Sequence, residues 1–369
     1  MRYLYSNTDW PQFQWDMEIL AGPLASARYK QGLLLGKMKA LGFALQAEAH
    51  LKTLIEDVVK SSAIEGEHLD PALVRSSLAR RLGIDLGGIA HVDRHIEGIV
   101  EMMLDATQHY AAALTKERLV AWHAALFPTG FSGMRKIAVG SWRTPESGAM
   151  QVISGPIGHE TIHFEAPAAE TLEMEMRVFL EWFDAPTGVD PVLKAGIAHL
   201  WFVTLHPFED GNGRIARAIA DCALARADNC PQRFYSMSNQ IEKERKGYYA
   251  ILENTQRGGL DITRWLIWFL GCLERAIDDS EELSASVLRK SRIWDRANRH
   301  PLNARQKLVL SRLLDDFKGN LTSGKYAKLA KCSADTALRD IRELMACGIL
   351  EQGEAGGRST SYVLVGEGG

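Results

Sequence analysis

The sequence lacks the features that mark secreted, membrane-spanning or zinc-binding proteins. Its 369 residues include only five cysteines, an odd number without any Cys-x-x-Cys pair, so neither a disulfide framework nor a zinc site is supported. Residues 1–7 contain no apolar core of the kind that a signal peptide needs. The strongest apolar run, residues 265–273, is too short to span a bilayer. We therefore expect a cytoplasmic protein without a membrane segment.

An excess of charge of one sign is also missing. Lys and Arg number 43 and Asp and Glu number 46, which leaves a net charge of −3. No chain-wide basic field therefore points to nucleic acid or to an anionic membrane surface. The length is typical of two or three domains, and the apolar share of 46% is ordinary for a globular protein.

Strand patterns are scarce, and helical periodicity dominates. Apolar residues recur at helical spacing over most of the chain, for example over residues 23–60, 189–205 and 262–296. Two short β-prone runs, residues 151–155 and 163–167, lie around the turn sequence Gly-Pro-Ile-Gly and predict a hairpin. The sequence therefore predicts a mainly α fold with a short β-hairpin.

The stretch His-Pro-Phe-Glu-Asp-Gly-Asn-Gly-Arg-Ile-Ala-Arg, residues 206–217, carries the densest set of chemically useful side chains. An apolar helical segment over residues 195–205 precedes it, and a second helical pattern begins at Ile215. Residues 211–213 therefore lie at a helix N-terminus, where unpaired N–H groups and the helix dipole favour an anion. The two glycines let the backbone approach a phosphate closely.

Side chains around that turn complete a phosphate site. Arg214 and Arg217 are three residues apart, near one face of the helix, and can fork onto phosphate oxygens. Asp210 suits Mg²⁺, which binds polyphosphates through one or two carboxylates. His206 can act as a general base, since the unperturbed pKa of histidine is about 6.5. A Gly-rich turn alone is often only structural, but the joint pattern predicts a polyphosphate site with its metal beside a proton acceptor.

Residues 206–217 resemble the signature of the Fic family, His-x-Phe-x-Asp/Glu-Gly-Asn-Gly-Arg-x-x-Arg, at every signature position. Members of that family are mostly adenylyltransferases, which move AMP from ATP to a Ser, Thr or Tyr hydroxyl of a target protein with Mg²⁺. The resemblance implies that His206 is the base, Phe208 the packed anchor of the loop and Asp210 the metal ligand. It further implies a phosphate cradle of Gly211, Asn212, Gly213 and Arg214, with Arg217 on the γ-phosphate.

Two other segments of the core resemble parts of the same family. The predicted hairpin, with Gln151, Val152, Ile153 and Ser154 in its first strand, looks like the family's flap, whose edge would align a target peptide by strand addition. A surface hairpin without function is the alternative. Tyr248 and Tyr249 resemble the aromatic pair beside the nucleotide in many members, although two tyrosines there could equally belong to the core.

The amino-terminal region carries a further resemblance and a candidate brake. Asp9-Trp10-Pro11 and its neighbours resemble a domain found ahead of Fic cores in bacterial proteins. The stretch from Ser61 to Gly66 fits the family's inhibitory pattern, Ser/Thr-x-x-x-Glu-Gly/Asn. The resemblance implies that Glu65 pairs with Arg217 and keeps ATP in an unproductive pose; a solvated glutamate is the alternative. In some relatives the equivalent glutamate also positions water for removal of AMP.

The carboxyl-terminal residues, 299–369, follow their own pattern of three helices and two short strands. This order resembles a winged helix-turn-helix domain, whose predicted recognition helix would expose Thr336, Arg339 and Arg342, with Arg358 in the wing. Lys and Arg outnumber Asp and Glu by ten to seven between residues 301 and 365, which allows phosphate contacts without a strong electrostatic footprint. DNA binding and protein docking or dimerisation both stay open.

The resulting hypothesis divides the chain into three domains. Residues 1–110 form a helical domain with the inhibitory helix, residues 111–298 a Fic-type core, and residues 299–369 the winged-helix domain. We expect an autoinhibited protein adenylyltransferase that uses ATP and Mg²⁺ and modifies a target protein, the chain itself included. A DNA-binding regulator that senses nucleotide through the core is the alternative, and transfer of phosphate or phosphocholine is a third reading. DNA and a second copy of the chain are further candidate partners.

Overall fold

The computed structural model describes residues 3–84, 93–155, 159, 161–315, 317, 319–353 and 360–365. It divides the chain into two compact units, Met1–Glu282 and Leu283–Gly369. The division after Glu282 falls within one helix, Thr263–Ala297. The boundaries expected from the sequence after residues 110 and 298 stay predictions.

Helices form most of the larger unit, as the sequence pattern predicts. Only short antiparallel hairpins accompany them among the described residues: β1 with β2, and β3 with β4. The helices are α1 (Met17–Lys39), α2 (Phe43–Ile64), α3 (Pro71–Arg81), α4 (Arg94–Gln108), α5 (Lys116–Leu126), α6 (Leu172–Asp184), α7 (Pro191–Leu205), α8 (Asn212–Asp228), α9 (Met237–Lys243), α10 (Arg245–Gln256) and α11 (Thr263–Ala297). The strands are β1 (Phe131–Ser132), β2 (Arg135–Lys136), β3 (Gln151–Ser154) and β4 (Thr161–Glu165).

Local capping explains where several helices begin. The Asp16 carboxylate accepts the N–H groups of residues 18 and 19 at the start of α1, so this helix begins before Pro23. Asp190 caps α7 ahead of the proline in its first turn. The single helix expected over residues 23–60 is wrong, because the chain leaves helical geometry at Gly42, whose extended backbone begins α2.

The core of the larger unit surrounds α7. Almost every residue of this helix is buried, and it packs against α8, so the loop that joins them is fixed at both ends. The predicted flap is present as β3 and β4, in register Gln151↔Glu165 and Ser154↔Thr161 with an irregularity after Val152. The small hairpin of β1 and β2 was not expected, because two-residue strands give no periodic signal. Part of the predicted flap turn, residues 156–158, lies outside the described residues.

The smaller unit has a hydrophobic core of its own, which includes Leu310, Ile341 and Leu364. Its elements beyond α11 are α12 (Ala304–Asp315), α13 (Ser323–Leu329), α14 (Ala334–Ala346), β5 (Leu350–Gln352) and β6 (Tyr362–Leu364). The strands β5 and β6 pair antiparallel, and Leu321 forms an isolated bridge with Tyr362. Arg358 lies outside the described residues.

No helix among the described residues is both long enough and apolar enough to cross a bilayer.

Candidate functional site

His206 lies at the junction between α7 and the loop. It ends α7 in the left-handed conformation, with φ 49° and ψ 57°, and its N–H donates to the Phe202 carbonyl. Its Nδ1 is 3.0 Å from the carbonyl oxygen of Val203, so Nδ1 carries the proton and Nε2 keeps its lone pair. Burial lowers the pKa of His206 below its ordinary value. The imidazole is therefore neutral at pH 7 and able to accept a proton.

Two residues give the loop its shape. The Asn212 side chain accepts the N–H of Phe208 at 2.9 Å and donates to the carbonyl of the same residue at 2.8 Å. Phe208 is fully buried and stacks on the His123 ring, with ring centres 4.1 Å apart. Burial lowers the pKa of His123 to about 4, so that ring is neutral. The Asn212 side chain is thus occupied within the loop, which leaves its backbone N–H as its contribution to an anion site.

Arg143 also fixes the loop, and sequence analysis missed it. Only 3% of this residue is exposed. Its Nε donates to the His206 carbonyl at 2.9 Å, its Nη2 donates to Pro167, and its backbone N–H donates to Pro207 at 2.8 Å. No local motif marks this role, because the acceptors are backbone carbonyls more than twenty residues away. The sequence around Arg143 therefore contains no pattern that would predict this role.

The N-terminus of α8 has the form of an anion site. Gly211 begins the helix with φ 79°, and an added Cβ would lie 2.9 Å from the Phe127 ring, so only glycine fits. No side chain caps this end of α8, and its first N–H groups are left for a ligand. At Gly213 an added Cβ would overlap the carboxylate of Glu65. A carboxylate therefore lies where a phosphate would approach the helix.

Asp210 lies at the edge of the loop, beside that helix end. Its Oδ1 accepts the N–H of Gly211 at 2.6 Å, and its Oδ2 accepts the hydroxyl hydrogen of Ser132 from β1. These two bonds fix the orientation of the carboxylate. Ser132 was not expected from the sequence, since it lies in the unexpected hairpin.

Glu65 contacts Arg217, as the inhibitory pattern implies. The Glu65 Oε1 atom is 2.8 Å from Nη2 of Arg217. Arg217 also donates from Nε to the Ser61 hydroxyl at 2.9 Å and from Nη2 to the Ser61 carbonyl at 2.8 Å. Only 2% of Arg217 is exposed, and its Nη1 has no hydrogen-bond partner. Burial alone would lower the pKa of this guanidinium, but the Glu65 charge raises it.

A second carboxylate from the same segment contacts the other arginine of the loop. Glu67 Oε2 is 3.0 Å from Nη1 of Arg214, whose guanidinium also lies 5.1 Å from the centre of the Phe127 ring. The other Glu67 oxygen bonds to Nε2 of His95. This bond raises the pKa of His95. Burial would raise the pKa of Glu67, but His95 and Arg214 together lower it. The sequence analysis did not single out Glu67.

A cavity of about 650 Å³ joins most of the predicted site residues, and this size falls within the range of small-molecule sites. The predicted residues on its wall are His206, Asp210, Gly211, Asn212, Gly213, Tyr248, Tyr249, Glu65, Val152, Ile153 and Ser154. Arg214, Arg217 and Ser61 do not line it, because the carboxylates of Glu65 and Glu67 contact the arginines. Gln151 lines a neighbouring cavity of about 410 Å³, which shares Ile153 and Asp210 with the first.

The two tyrosines play different parts in this cavity. Tyr248 is buried, and its hydroxyl is 2.8 Å from Nε2 of His199. Tyr249 is partly exposed and donates at 3.2 Å to the carbonyl of Ile64, the residue before Glu65. Leu252 and Gln256 of α10 also line the cavity, whereas the exposed Asn254 does not. Gln256 therefore supplies a side-chain amide to the wall of the cavity.

The flap is tied to α10 by polar contacts. Ser154 Oγ is 2.6 Å from Nε2 of His163, and His163 Nδ1 is 2.8 Å from Oε2 of Glu253. Arg257 donates to the carbonyls of His163 at 3.0 Å and Ile162 at 2.7 Å. These contacts keep the flap over one wall of the cavity.

Comparison with family models gives two matches. Residues 113–224 match the Fic/DOC family, and residues 3–84 match a domain of unknown function, DUF4172. The first match covers α5 to α8 and so includes the loop. It supports a Fic family protein. The second covers the amino-terminal region, which includes the segment that carries the two carboxylates.

Curated relatives and solved structures point the same way. The chain is 35% identical over 116 residues to a protein adenylyltransferase Fic of Nematostella vectensis, which covers 30% of this chain and 25% of the relative. It is 27% identical over 249 residues to the protein of that name from Culex quinquefasciatus, covering 66% and 45%. The chain thus spans less than half the length of these relatives. A crystal structure of a Fic family protein from Desulfovibrio desulfuricans is similar over both full chains, with 20% identity and a TM-score of 0.53, which bears on the fold alone.

Proposed function

We propose that this protein is an autoinhibited protein adenylyltransferase, which transfers AMP from ATP to a Ser, Thr or Tyr hydroxyl of a target protein. The observation that carries the proposal is the position of Glu65. Its carboxylate lies against Gly213 at the N-terminus of α8 and on Arg217, in a cavity that also contains His206. A negatively charged group already occupies the place that suits a phosphate.

The side chains of the loop have complementary tasks in this reaction. The Nε2 atom of His206 takes the proton of the target hydroxyl while the hydroxyl oxygen attacks the α-phosphorus and pyrophosphate leaves. The first N–H groups of α8 bind phosphate oxygens, as helix N-termini do. Arg214 and Arg217 bind the outer phosphates once their carboxylate partners are displaced. Phe208 and Arg143 keep the loop in this geometry.

Residues for a metal ion are present at one point of the cavity. Asp210 offers a carboxylate on the cavity wall, oriented by the Gly211 N–H and the Ser132 hydroxyl. Mg²⁺ is commonly bound by one or two carboxylates together with the phosphates of a substrate, so this donor fits. When bound there, Mg²⁺ neutralises phosphate charge.

The brake acts by competition within this proposal. Arg217 cannot fork onto a γ-phosphate while its Nη2 is bonded to Glu65 and Ser61. Glu67 holds Arg214 in the same way, so both arginines of the loop are engaged by one segment. Release of that segment frees both guanidinium groups. Removal of AMP from a modified target, with Glu65 positioning water, is a second reaction that the same geometry supports.

The experiment that tests the proposal is the Glu65→Gly variant incubated with Mg²⁺ and ATP labelled on the α-phosphate. We expect more label in protein than with the wild-type chain, because Arg217 becomes free. ATP labelled on the γ-phosphate should transfer nothing, since pyrophosphate leaves. Glu65→Gln tests charge alone at nearly constant shape.

A matched control removes a carboxylate elsewhere. Glu181 on α6 is exposed and does not line the cavity, so Glu181→Gln should behave as the wild-type chain. If Glu65→Gly gives no gain over that control, autoinhibition by Glu65 is wrong. Transfer of γ-label instead of α-label would replace AMP transfer by kinase-like chemistry.

The smaller unit supports a second proposal, a winged-helix domain. The proposal is supported by the order of α12, α13, α14, β5 and β6, with Leu321 bridging to β6. Arg339 and Arg342 are exposed on α14, as a recognition helix requires, which favours the alternative of DNA contact. A gel shift of the full chain at physiological salt with genomic fragments tests it, and the Arg339→Ala, Arg342→Ala double variant should lose any retarded complex.

A further inference from the structure

Three polar side chains on the wall of the nucleotide cavity form a hydrogen-bonded chain that the proposed reaction does not use. Ser154 Oγ lies 2.6 Å from Nε2 of His163, and His163 Nδ1 lies 2.8 Å from Oε2 of Glu253. All three residues line the 650 Å³ cavity. The order hydroxyl, imidazole and carboxylate is the arrangement that activates a serine in many unrelated enzymes.

The tautomer of His163 follows from these contacts. The Glu253 carboxylate accepts the Nδ1 hydrogen of His163, so Nε2 is the free lone pair that faces the Ser154 hydroxyl. Ser154 is exposed, and its hydroxyl donates to that nitrogen. His163 therefore contacts the Ser154 hydroxyl as a base, and the Glu253 carboxylate would stabilise the imidazolium once the proton has moved to His163.

Ser154 lines the same cavity as His206 and Asp210. Its neighbour Ile153 lines both the nucleotide cavity and the adjoining 410 Å³ cavity, and Asp210 is the other residue common to both walls. This end of β3 therefore borders the same space as the carboxylate that suits Mg²⁺. A nucleotide in the larger cavity would meet Ser154 on one side and the loop on the other.

The Ser154 hydroxyl is not needed to hold the flap. Arg257, which follows α10 directly and pairs with Glu253 at 2.7 Å, already bonds to the backbone carbonyls of Ile162 and His163. Gln151 ties β3 to Glu165 of β4 at 2.7 Å. The flap thus keeps its register and its anchor without the Ser154 hydroxyl.

We propose that Ser154 is an acceptor of AMP within this chain, with His163 as its base and Glu253 as the residue that positions His163. In this step Ser154 Oγ bonds to the α-phosphorus of ATP, and the bond from that phosphorus to the oxygen bridging to the β-phosphate breaks. Pyrophosphate leaves with the electron pair of that bond, and the serine proton goes to Nε2 of His163. The inference rests on the proposed function, since it needs ATP in this cavity.

The experiment maps the label. The full-length Glu65→Gly variant is incubated with Mg²⁺ and ATP, digested, and searched by mass spectrometry for peptides heavier by one AMP. We expect AMP on Ser154, its loss in Ser154→Ala and its retention in Ser154→Thr, which keeps an acceptor hydroxyl. His163→Gln should slow labelling of Ser154 by about 10²–10⁴-fold, the usual range for a general base. Glu253→Gln should slow it less.

The effect of removing His206 distinguishes a base at His163 from a purely structural role of that residue. Because Ser154 has its own base, adding His206→Ala should leave AMP on Ser154 while transfer to an added protein acceptor is lost. His109→Gln is the control, since the exposed His109 also pairs with a carboxylate, Asp105 at 2.9 Å, but does not line the nucleotide cavity. Thermal unfolding of each variant reports whether the fold is intact.

The outcomes separate this inference from the proposed function. AMP on other residues or on an added acceptor, but not on Ser154, would overturn the inference and leave adenylyl transfer standing. AMP on Ser154 at an unchanged rate in the His163→Gln variant would overturn the role of His163. No AMP on any protein, with the brake removed, would overturn both proposals together.

Discussion

The loop of residues 206–217 and the flap of residues 151–165 border the same cavity but are held in different ways. The loop is fixed by buried groups: the Phe208 ring, the Asn212 amide and the Arg143 guanidinium. The flap is held by half-exposed polar contacts to α10. The loop is therefore a rigid wall of the cavity, whereas the flap can be displaced at a lower cost in free energy. Rigidity on one wall and adaptability on the other suit a site for one nucleotide and varied acceptor proteins.

The largest expected difference between the two regions concerns proton transfer to a target. His206→Ala should lower AMP transfer to an added protein acceptor by about 10²–10⁴-fold, because the general base is lost. His163→Gln, on the flap, should leave that transfer far less affected, since its base serves Ser154. Initial rates with α-labelled ATP in the Glu65→Gly background measure both. Equal losses in the two variants would show that the flap histidine belongs to the common machinery.

The next difference concerns packing. Phe208→Ala should lower the free energy of unfolding by about 3–5 kcal/mol, because it leaves a cavity beneath the loop. Ile153→Ala on the flap should change it by less than about 0.5 kcal/mol, because that side chain is 54% exposed. Denaturant unfolding of the two variants gives the comparison. Similar changes at both positions would contradict the contrast between a rigid loop and an adaptable flap.

Loss of hydrogen bonds to backbone carbonyls should also destabilise the protein more at the loop than at the flap, but by less than the loss of the Phe208 ring. Arg143→Gln removes the guanidinium that donates to the carbonyls of His206 and Pro167, at a cost of about 1–3 kcal/mol for each carbonyl left without a donor. Arg257→Gln loses bonds at a half-exposed position, where water replaces the donor, so the cost should be lower. The midpoints of thermal unfolding would rank them. The opposite ranking would mean that the flap, not the loop, depends on its arginine.

The smallest expected effect is the pH dependence of the pair of Glu67 and His95. The lowered pKa of Glu67 contributes stability that is present above pH 4.5, its ordinary value, and is lost as pH falls through the lowered pKa. The raised pKa of His95 contributes stability that is present below pH 6.5 and is lost as pH rises through the raised pKa.

Both contributions are therefore complete only between those two pH values. The difference in unfolding free energy between wild type and Glu67→Gln should peak between pH 4.5 and 6.5 and shrink on either side. A difference that stays constant from pH 4 to about pH 9 would exclude this ion pair as the cause.

The loop could be predicted from the sequence because its pattern is confined to one short stretch of the chain. The residues His206 to Arg217 lie within twelve positions, and the helices on either side show their own periodicity. The contact of Glu65 with Arg217 agrees with the inhibitory pattern, which is likewise short. The mainly helical fold followed from apolar spacing, although the break at Gly42 escaped it because one glycine in a helical pattern is a weak signal.

The missed residues act across long separations in the chain. Arg143 bonds to carbonyls of the loop, Ser132 to Asp210, and Glu253 to His163, each more than sixty residues away. Glu67 lies beside a recognised pattern but outside it, and its partner Arg214 was assigned to phosphate alone. Spacing in one sequence cannot pair such residues, since nothing local distinguishes them from other polar side chains. Only the folded chain brings each partner into contact.

Under the proposed function, the overlap of the Glu65 carboxylate with the approach to Gly213 has a quantitative consequence for the response of the protein to ATP. A nucleotide that needs the open arrangement binds with an apparent affinity reduced in proportion to the fraction of molecules that are open. Tightening the closed arrangement tenfold therefore raises the ATP concentration needed for half-saturation by about tenfold, without any change in the pocket itself. Substitutions at the end of α2 would then set the threshold of ATP at which the molecule starts to work, independently of how fast it works once occupied.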